Sequence, residues 1–513
     1  MQATGKGKAM SINFIPNDPR AGRTAPAMRP KAPSATRPRS RSGFVFGNTS
    51  PEAVAAPGTP QFLFWQAREA AILTLRAFEG ATGSAHTRWQ GARSKLPLVQ
   101  DAGIDVNAFY DRASFSFFHQ TVGSRTFFSG ASTDVVSHEV GHGLLDSLRP
   151  DFFSVNFLEV GAVHEAFGDC MAILTALSDR DTRVKLLRAS TTLRRRNFVE
   201  SWGEELSFAI GLVAPGHNAS VPRRTFNRLR HQIPSTLPTN GGPGALINEV
   251  HSFGMIFSGC FWDLTVELFN AAPARSEAAL LSAARLAARL TIAGAARAVI
   301  TPRFMQSMGR AMTLADQSLH RGVNRAAIGA AFARHGILLG TNAMLAPAVA
   351  LAGQAPSKGR LGAAARQDLM RHLGAPRGAR LDLQAVTLDG AEAVSAVHTR
   401  SVPLSGLHPL LKGVVALAPE PVMVGRSGTR AAVMGALPNP TDTVTEVHAF
   451  VESLLAHRRL LLPGSGPGSA PAREHPQHAT HAIRSVGGKK VLTRVRFACA
   501  CHPLRANGGA ARV

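Results

Sequence analysis

A single tyrosine, Tyr110, stands in 513 residues, so any chemistry that needs a phenolic hydroxyl has one candidate. Aromatic residues of all kinds are 6% of the chain, and most of them are the 27 phenylalanines. The four cysteines, Cys170, Cys260, Cys499 and Cys501, are too few and too scattered for a disulfide framework, which permits a reducing compartment. Acids are also scarce, 33 Asp and Glu against 57 Lys and Arg, and the net charge of +24 predicts attraction to polyanions whatever the function. Charge interrupts the apolar stretches before any reaches the roughly 20 residues of a spanning helix, so no transmembrane segment is expected. No apolar run follows Met1–Lys8, so no secretory signal is expected and a cytoplasmic or non-classically exported protein is. Against these shortages, 45% of the chain is hydrophobic and its length suits two or three domains, which excludes disorder for the whole.

Residues 1–59 are expected to form a disordered basic arm, since 1–42 carry nine Lys and Arg against Asp18 alone and show no period. Near residue 60 the pattern turns helical, through Phe62, Ile72 and Leu75 to Phe78, with Gly80 as its stop. Residues 108–118 and 124–128 read as strands, and a helix-dominated region follows from about 134 to 340. An Ala/Pro/Gly-rich linker is expected over 341–379 and an accessory C-terminal unit over 380–513. In that unit Thr443–Glu446 has the spacing of a capping box, and Val486-Gly-Gly-Lys489 that of a hairpin turn.

The run His138-Glu-Val-Gly-His142 is the most informative. On a helix, residues four apart share a face, so the two imidazoles can bind one zinc ion while Glu139 lies beside it without ligating. Asp134, just ahead, is a candidate helix cap. A catalytic zinc needs a third protein ligand and an open position, and Glu165 in Gly161-Ala-Val-His-Glu-Ala-Phe-Gly-Asp169 is placed to supply the ligand from the next helix. Asp169, one turn on, can accept the outer N–H of a zinc-bound histidine and set its tautomer. His164 is read as structural, and Cys170 and Cys260 as core residues. The Cys499-Ala-Cys501-His502 cluster offers at most three ligands and is assigned no role.

With these motifs the sequence resembles the thermolysin-like (gluzincin) neutral metalloproteases over residues 60–340. Three further segments carry the likeness: Asn107-Ala-Phe-Tyr110, Asn248-Glu-Val-His-Ser-Phe-Gly254 and Ala331-Phe-Ala-Arg-His-Gly336. The resemblance implies an α+β fold: a zincin-like core with an N-terminal mixed β part, an active-site helix and a mainly helical second subdomain, here with a small α+β C-terminal unit. It also implies hydrolysis of peptide bonds in peptide or protein substrates, with Zn2+ as cofactor and Glu139 as general base. His251 would stabilise the tetrahedral intermediate, and the Asn107 side chain and Ala108 carbonyl would hold the substrate backbone.

The sequence departs from the family pattern in three places. The tyrosine that shares oxyanion stabilisation has no counterpart in 143–164, where Phe152, Phe153 and Phe157 stand instead. The carboxylate five residues before His251 is replaced by Leu246, which leaves Glu249 or Asn248 to orient the imidazole. Calcium is not expected, because Ala172–Leu177 is apolar and only Asp179 and Asp181 lie nearby. The substrate-binding arginine could be Arg223 or Arg224. The missing tyrosine motivates an alternative, a weak or inactive relative that serves as a peptide- or polyanion-binding scaffold, with non-specific polyanion binding through the basic termini. Oligomeric state and peptide specificity are not legible.

Overall fold

The computed structural model describes residues 11–340, 345–388, 390–461 and 478–499. Its first segment is not the solvated arm that the charge pattern predicts. Strand β1 (Ile12–Phe14) pairs antiparallel with β2 (Arg29–Lys31), and β3 (Gly43–Val45) follows. Ile12 and Phe14 are buried, while Lys31 and Arg37 pair with Glu69 and Glu79 of helix α1 (Pro60–Thr82). Arg20, Arg29 and Arg41 are likewise paired with acids from later elements. Helix α1 is capped by the Thr59 hydroxyl, has Pro60 in its first turn and ends at Gly83 with φ of 71°. Gly80, the expected stop, stays inside the helix.

Four strands of the N-terminal half, β3, β4 (Lys95–Val99), β5 (Ala108–Tyr110) and β6 (Phe115–Phe117), join one sheet. Its order is β19-β5-β6-β4-β3, and the outer member, β19 (Phe497–Ala498), comes from the far end of the chain. A hairpin of β7 (His119–Val122) and β8 (Arg125–Phe128) leads into α2 (Thr133–Leu148). Ser132, not Asp134, caps this helix by accepting from the Val135 N–H. Asp134 lies two residues inside, where its carboxylate joins those of Asp18 and Glu204 within 4.8 Å.

Helix α3 (Leu158–Ser178) is buried from Leu158 to Leu177, and α4 (Arg180–Ala189) and α5 (Glu204–Val213) follow it. The two-residue strands β9 (Ser201–Trp202) and β10 (Arg223–Arg224) flank α5 in the chain and pair antiparallel. Helices α6 (Val250–Asn270), α7 (Glu277–Ala295), α8 (Phe304–His320) and α9 (Arg325–Arg334) complete the helical half. By length and composition alone α3 and α7 could cross a membrane; here the apolar length of α3 is covered by protein on all sides, and α7 exposes Arg285 and Arg289.

The region expected as a linker contains β11 (Pro347–Gln354) and α10 (Ala363–His372). They join β12 (Leu381–Leu388), β13 (Ala391–Pro403), β14 (Val414–Ser427), β15 (Arg430–Met434), α11 (Pro440–Ala456), β16 (Leu460–Leu461), β17 (His481–Val486) and β18 (Lys489–Arg494). The strands form one eight-stranded sheet with β14 at its centre, paired to β13, β15 and β18. Asn439 caps α11 with Pro440 in its first turn, so Thr443 and Glu446 lie inside the helix, and Glu446 binds Ser235 and Arg303 instead of a helix end. Gly487 and Gly488, with φ of 56° and 78°, make the expected hairpin turn between β17 and β18.

Burial does not respect the expected boundary at residue 340. Leu351, Leu369, Val394 and Val433 form a small separate core. Val402, Leu404, Val414, Phe450, Leu492 and Phe497, however, belong to the main core with α1, α2, α3 and α6. The fold is α+β, as expected.

Candidate metal centre

Helices α2 and α3 approach closely because glycine faces glycine: a Cβ on Gly141 would lie 2.9 Å from the Cα of Gly168. This contact brings His138 and His142 opposite Glu165 and Asp169. His138 Nε2 lies 3.1 Å and His142 Nε2 3.6 Å from Glu165 Oε2. His138 Nδ1 donates to Asp169 Oδ1 at 3.0 Å, which turns the Nε2 edge of the ring toward Glu165. His142 Nδ1 is 2.9 Å from His164 Nδ1, so one of the two carries the shared proton. His164 therefore orients a predicted ligand, a role that sequence reasoning missed because residue 164 neighbours the wrong face of its own helix until the partner helix is in place.

The donor set suits a divalent metal. His138, His142 and Glu165 offer ligand atoms within 4.8 Å of one another, and all three are buried. His142 Nε2 is buried without a hydrogen-bond partner among the described residues. A cation between this nitrogen and the Glu165 oxygen would give both a partner. Burial pushes His142 down to about 4, so it is neutral and ready to ligate at ordinary pH. Glu165 is held well below the usual carboxylate range: burial opposes this, but His251 and His142 prevail.

Glu139 follows His138 on α2 and is completely buried, with Oε2 lacking a partner among the described residues. Burial first, and then the Cys499 sulfur, raise its carboxyl well above the usual range. His251, in the first turn of α6, lies with Nε2 3.2 Å from Glu165 Oε2, while its Nδ1 meets Glu249 Oε1 at 2.6 Å. Of the two residues left open to orient this imidazole, Glu249 does so. Asn248 instead donates to the Ala449 carbonyl at 3.0 Å. Burial would lower His251, but the carboxylates of Glu165 and Glu249 raise it to about 10, so it is a cation and a donor. Of the two arginines, Arg223 donates to Asp169 Oδ1 at 2.8 Å and stacks over Trp202, whereas Arg224 pairs with Glu200 outside the centre.

Asn107 immediately precedes β5, which begins at Ala108, and both residues are buried. Asn107 Nδ2 donates to Asp105 Oδ2 at 3.2 Å. The Ala108 carbonyl accepts from the Cys499 N–H at 2.9 Å, and β19 continues the pairing with Phe497 opposite Tyr110. Cys499 Sγ lies 3.2 Å from Glu139 Oε1, inside the cluster that was assigned no role from sequence; Cys501 and His502 lie outside the described residues. No sequence signal could have placed Cys499 here, because 334 residues separate it from Glu165 and only strand pairing joins them. A cavity lined by Trp202, Ile210, Arg223, Met255 and His251 opens beside this sulfur. The one tyrosine is turned away: Tyr110 donates to Asp146 Oδ2 at 2.9 Å.

Comparison with known families agrees with this geometry. Residues 118–343, a little under half of the chain, match the sequence model of the fungalysin metallopeptidase family (M36). That match names a metallopeptidase family other than the thermolysin-like one, and it supports a peptide hydrolase with a metal at its centre. No curated protein matches the chain.

Proposed function

We propose that the protein is a zinc-dependent endopeptidase in which His138, His142 and Glu165 hold the metal and Glu139 is the general base. The observation that carries this reading is the buried set of two imidazoles and a carboxylate with a second, unpartnered carboxylate oxygen beside it. Zinc, when bound, supplies Lewis acidity to a water molecule and to the peptide carbonyl. The protein's own groups do the rest. Asp169 and His164 hold the two imidazoles in register, and the Ala108 carbonyl and Asn107 side chain align an extended peptide along β5. Glu139 takes a proton from the attacking water and returns it to the leaving nitrogen. His251, charged and fixed by Glu249, donates to the developing oxyanion, a contribution of about 3 kcal/mol. The missing family tyrosine leaves His251, Arg223 and Arg494 as cations that border the site.

Elemental analysis of the purified protein, followed by a peptidase assay, tests the proposal. One zinc per chain is expected, lost in His142→Ala and retained in Glu139→Gln, with hydrolysis falling by about 10² to 10⁴-fold in Glu139→Gln. Absence of metal from the wild-type chain, or full activity in Glu139→Gln, overturns it.

A further inference from the structure

The strand that lies along β5 has the position that a substrate backbone would need. Its Cys499 N–H already uses the Ala108 carbonyl, and Phe497 and Ala498 pair antiparallel with Tyr110 and Phe109. The strand's side chains also fill the space next to the ligands. The Phe497 ring stacks on His142 and His164, with centroids 4.6 and 3.9 Å away and interplanar angles of 19° and 20°. Arg494 in turn lies over the outer face of Phe497 at 4.1 Å. Residues 497–499 are buried at 3% exposure or less, so the chain's own C-terminal part closes this edge of the cleft.

The thiol is directed at the metal donors. Cys499 Sγ lies within 4.8 Å of the ligand atoms of His138 and Glu139, and within the same distance of those of Glu165 and His251. In addition, His142 Nε2 is buried, unpartnered among the described residues and 3.6 Å from Glu165 Oε2, the carboxylate that Cys499 also approaches. Two imidazoles, a carboxylate and a thiolate complete the four-coordinate set that closes a zinc site, whereas catalysis requires one open position.

Resting on the reading of this site as a zinc centre, we propose that Cys499 is a fourth ligand of the metal held by His138, His142 and Glu165, and that strand 497–499 makes this form latent by occupying the peptide edge of β5. The chain is then its own inhibitor. Sulfur holds the coordination position that the attacking water needs, and β19 holds the backbone groups that the substrate needs. Withdrawal of the strand frees both at once.

Cobalt substitution of the full chain tests this. With Co2+ in place of zinc, wild type is expected to show both the ligand-field bands of a bound ion and a near-ultraviolet thiolate-to-cobalt charge-transfer band. Cys499→Ser and Cys499→Ala should keep the former and lose the latter, and the peptidase rate of the zinc forms should rise at least tenfold. A second measurement does not depend on how a variant folds: alkylation of Cys499 in wild type, read by peptide mass, should accelerate at least tenfold when a chelator removes the metal. Ligand-field bands without a thiolate band in wild type, or alkylation indifferent to chelator, overturn the ligation while leaving the zinc peptidase reading intact. A thiolate band with no gain in activity on removal of Cys499 overturns the latency assigned to the sulfur. Absence of ligand-field bands from every protein overturns the metal centre itself and this inference with it.

Discussion

Gly168→Ala tests whether the metal centre depends on the contact between α2 and α3. A Cβ at residue 168 would lie 2.5 Å from His138 Nδ1 and 2.7 Å from its Cγ and Cε1, so the ring must move by about 1 Å to reach ordinary contact. It has nowhere to go. Trp202 and His142 flank it with centroids 4.7 and 4.6 Å away, and Asp169 and Glu165 hold its two nitrogens. Overpacking costs about 1 to 3 kcal/mol, and the broken hydrogen bond to a buried carboxylate about 1.5 to 3 more. Replacing a helical glycine returns at most about 1 kcal/mol. The net expectation is a loss of roughly 2 to 5 kcal/mol together with a metal affinity at least tenfold weaker. Gly329→Ala in α9 is the internal control: no atom lies within 4 Å of its added Cβ, so only the propensity gain of about 1 kcal/mol remains. Chemical denaturation of the metal-free proteins and metal titration read both quantities. A Gly168→Ala protein as stable as the control, with wild-type affinity, would refute the account of how these helices position His138.

Three further outcomes follow from the same structure. Glu249 accepts the N–H groups of His251 and Ser252 as the cap of α6 and also holds the His251 ring, so Glu249→Ala should cost about 1 kcal/mol of stability. Its peptidase rate should approach that of His251→Ala; a rate equal to wild type would remove Glu249 from the site. Tyr110→Phe should lose about 1.5 kcal/mol in thermal unfolding, since Asp146 keeps only Arg112, with no change in hydrolysis because the hydroxyl points away from the centre. Burial, and then Glu204, raise Asp18 to about 7, so the native state keeps a proton that the unfolded chain releases near pH 4. Asp18 therefore contributes a loss of stability on the order of 4 kcal/mol as pH rises from about 4 to 7, so the stability of Asp18→Asn relative to wild type should increase across this window in denaturant titrations. A difference between Asp18→Asn and wild type that stays constant across this window would contradict the buried carboxyl cluster.

Much of the candidate metal centre was legible because helices convert spacing into shared faces. His138, His142, Glu165 and Asp169 each lie at an interval that a 3.6-residue turn brings to one side, and the structure sets them opposite one another across a single glycine contact. The strands around Tyr110, the Gly487-Gly488 turn and the long α7 were readable for the same reason, since local periodicity and turn chemistry decide them. The misreadings share a cause as well. Residues 11–59 look solvated because they are basic, yet Glu69 and Glu79 neutralise them from another element. Asp134 has the chemistry of a cap, but Ser132 reaches the helix end first and Asp134 is drawn into a carboxylate cluster. The expected linker contains a strand and a helix whose apolar residues meet partners from beyond residue 390.

By itself, then, the sequence determined which residue types stand ready to ligate a metal and which helix presents them, because those relations span a few residues. Tertiary structure alone decided which arginine joins Asp169, which carboxylate fixes His251, and that Cys499 enters the centre. The first and last of those depend on segments that meet only after strands pair and helices dock, and spacing along a chain contains no record of such a meeting; Glu249 neighbours His251 in the chain, and there the structure only chose between two adjacent candidates.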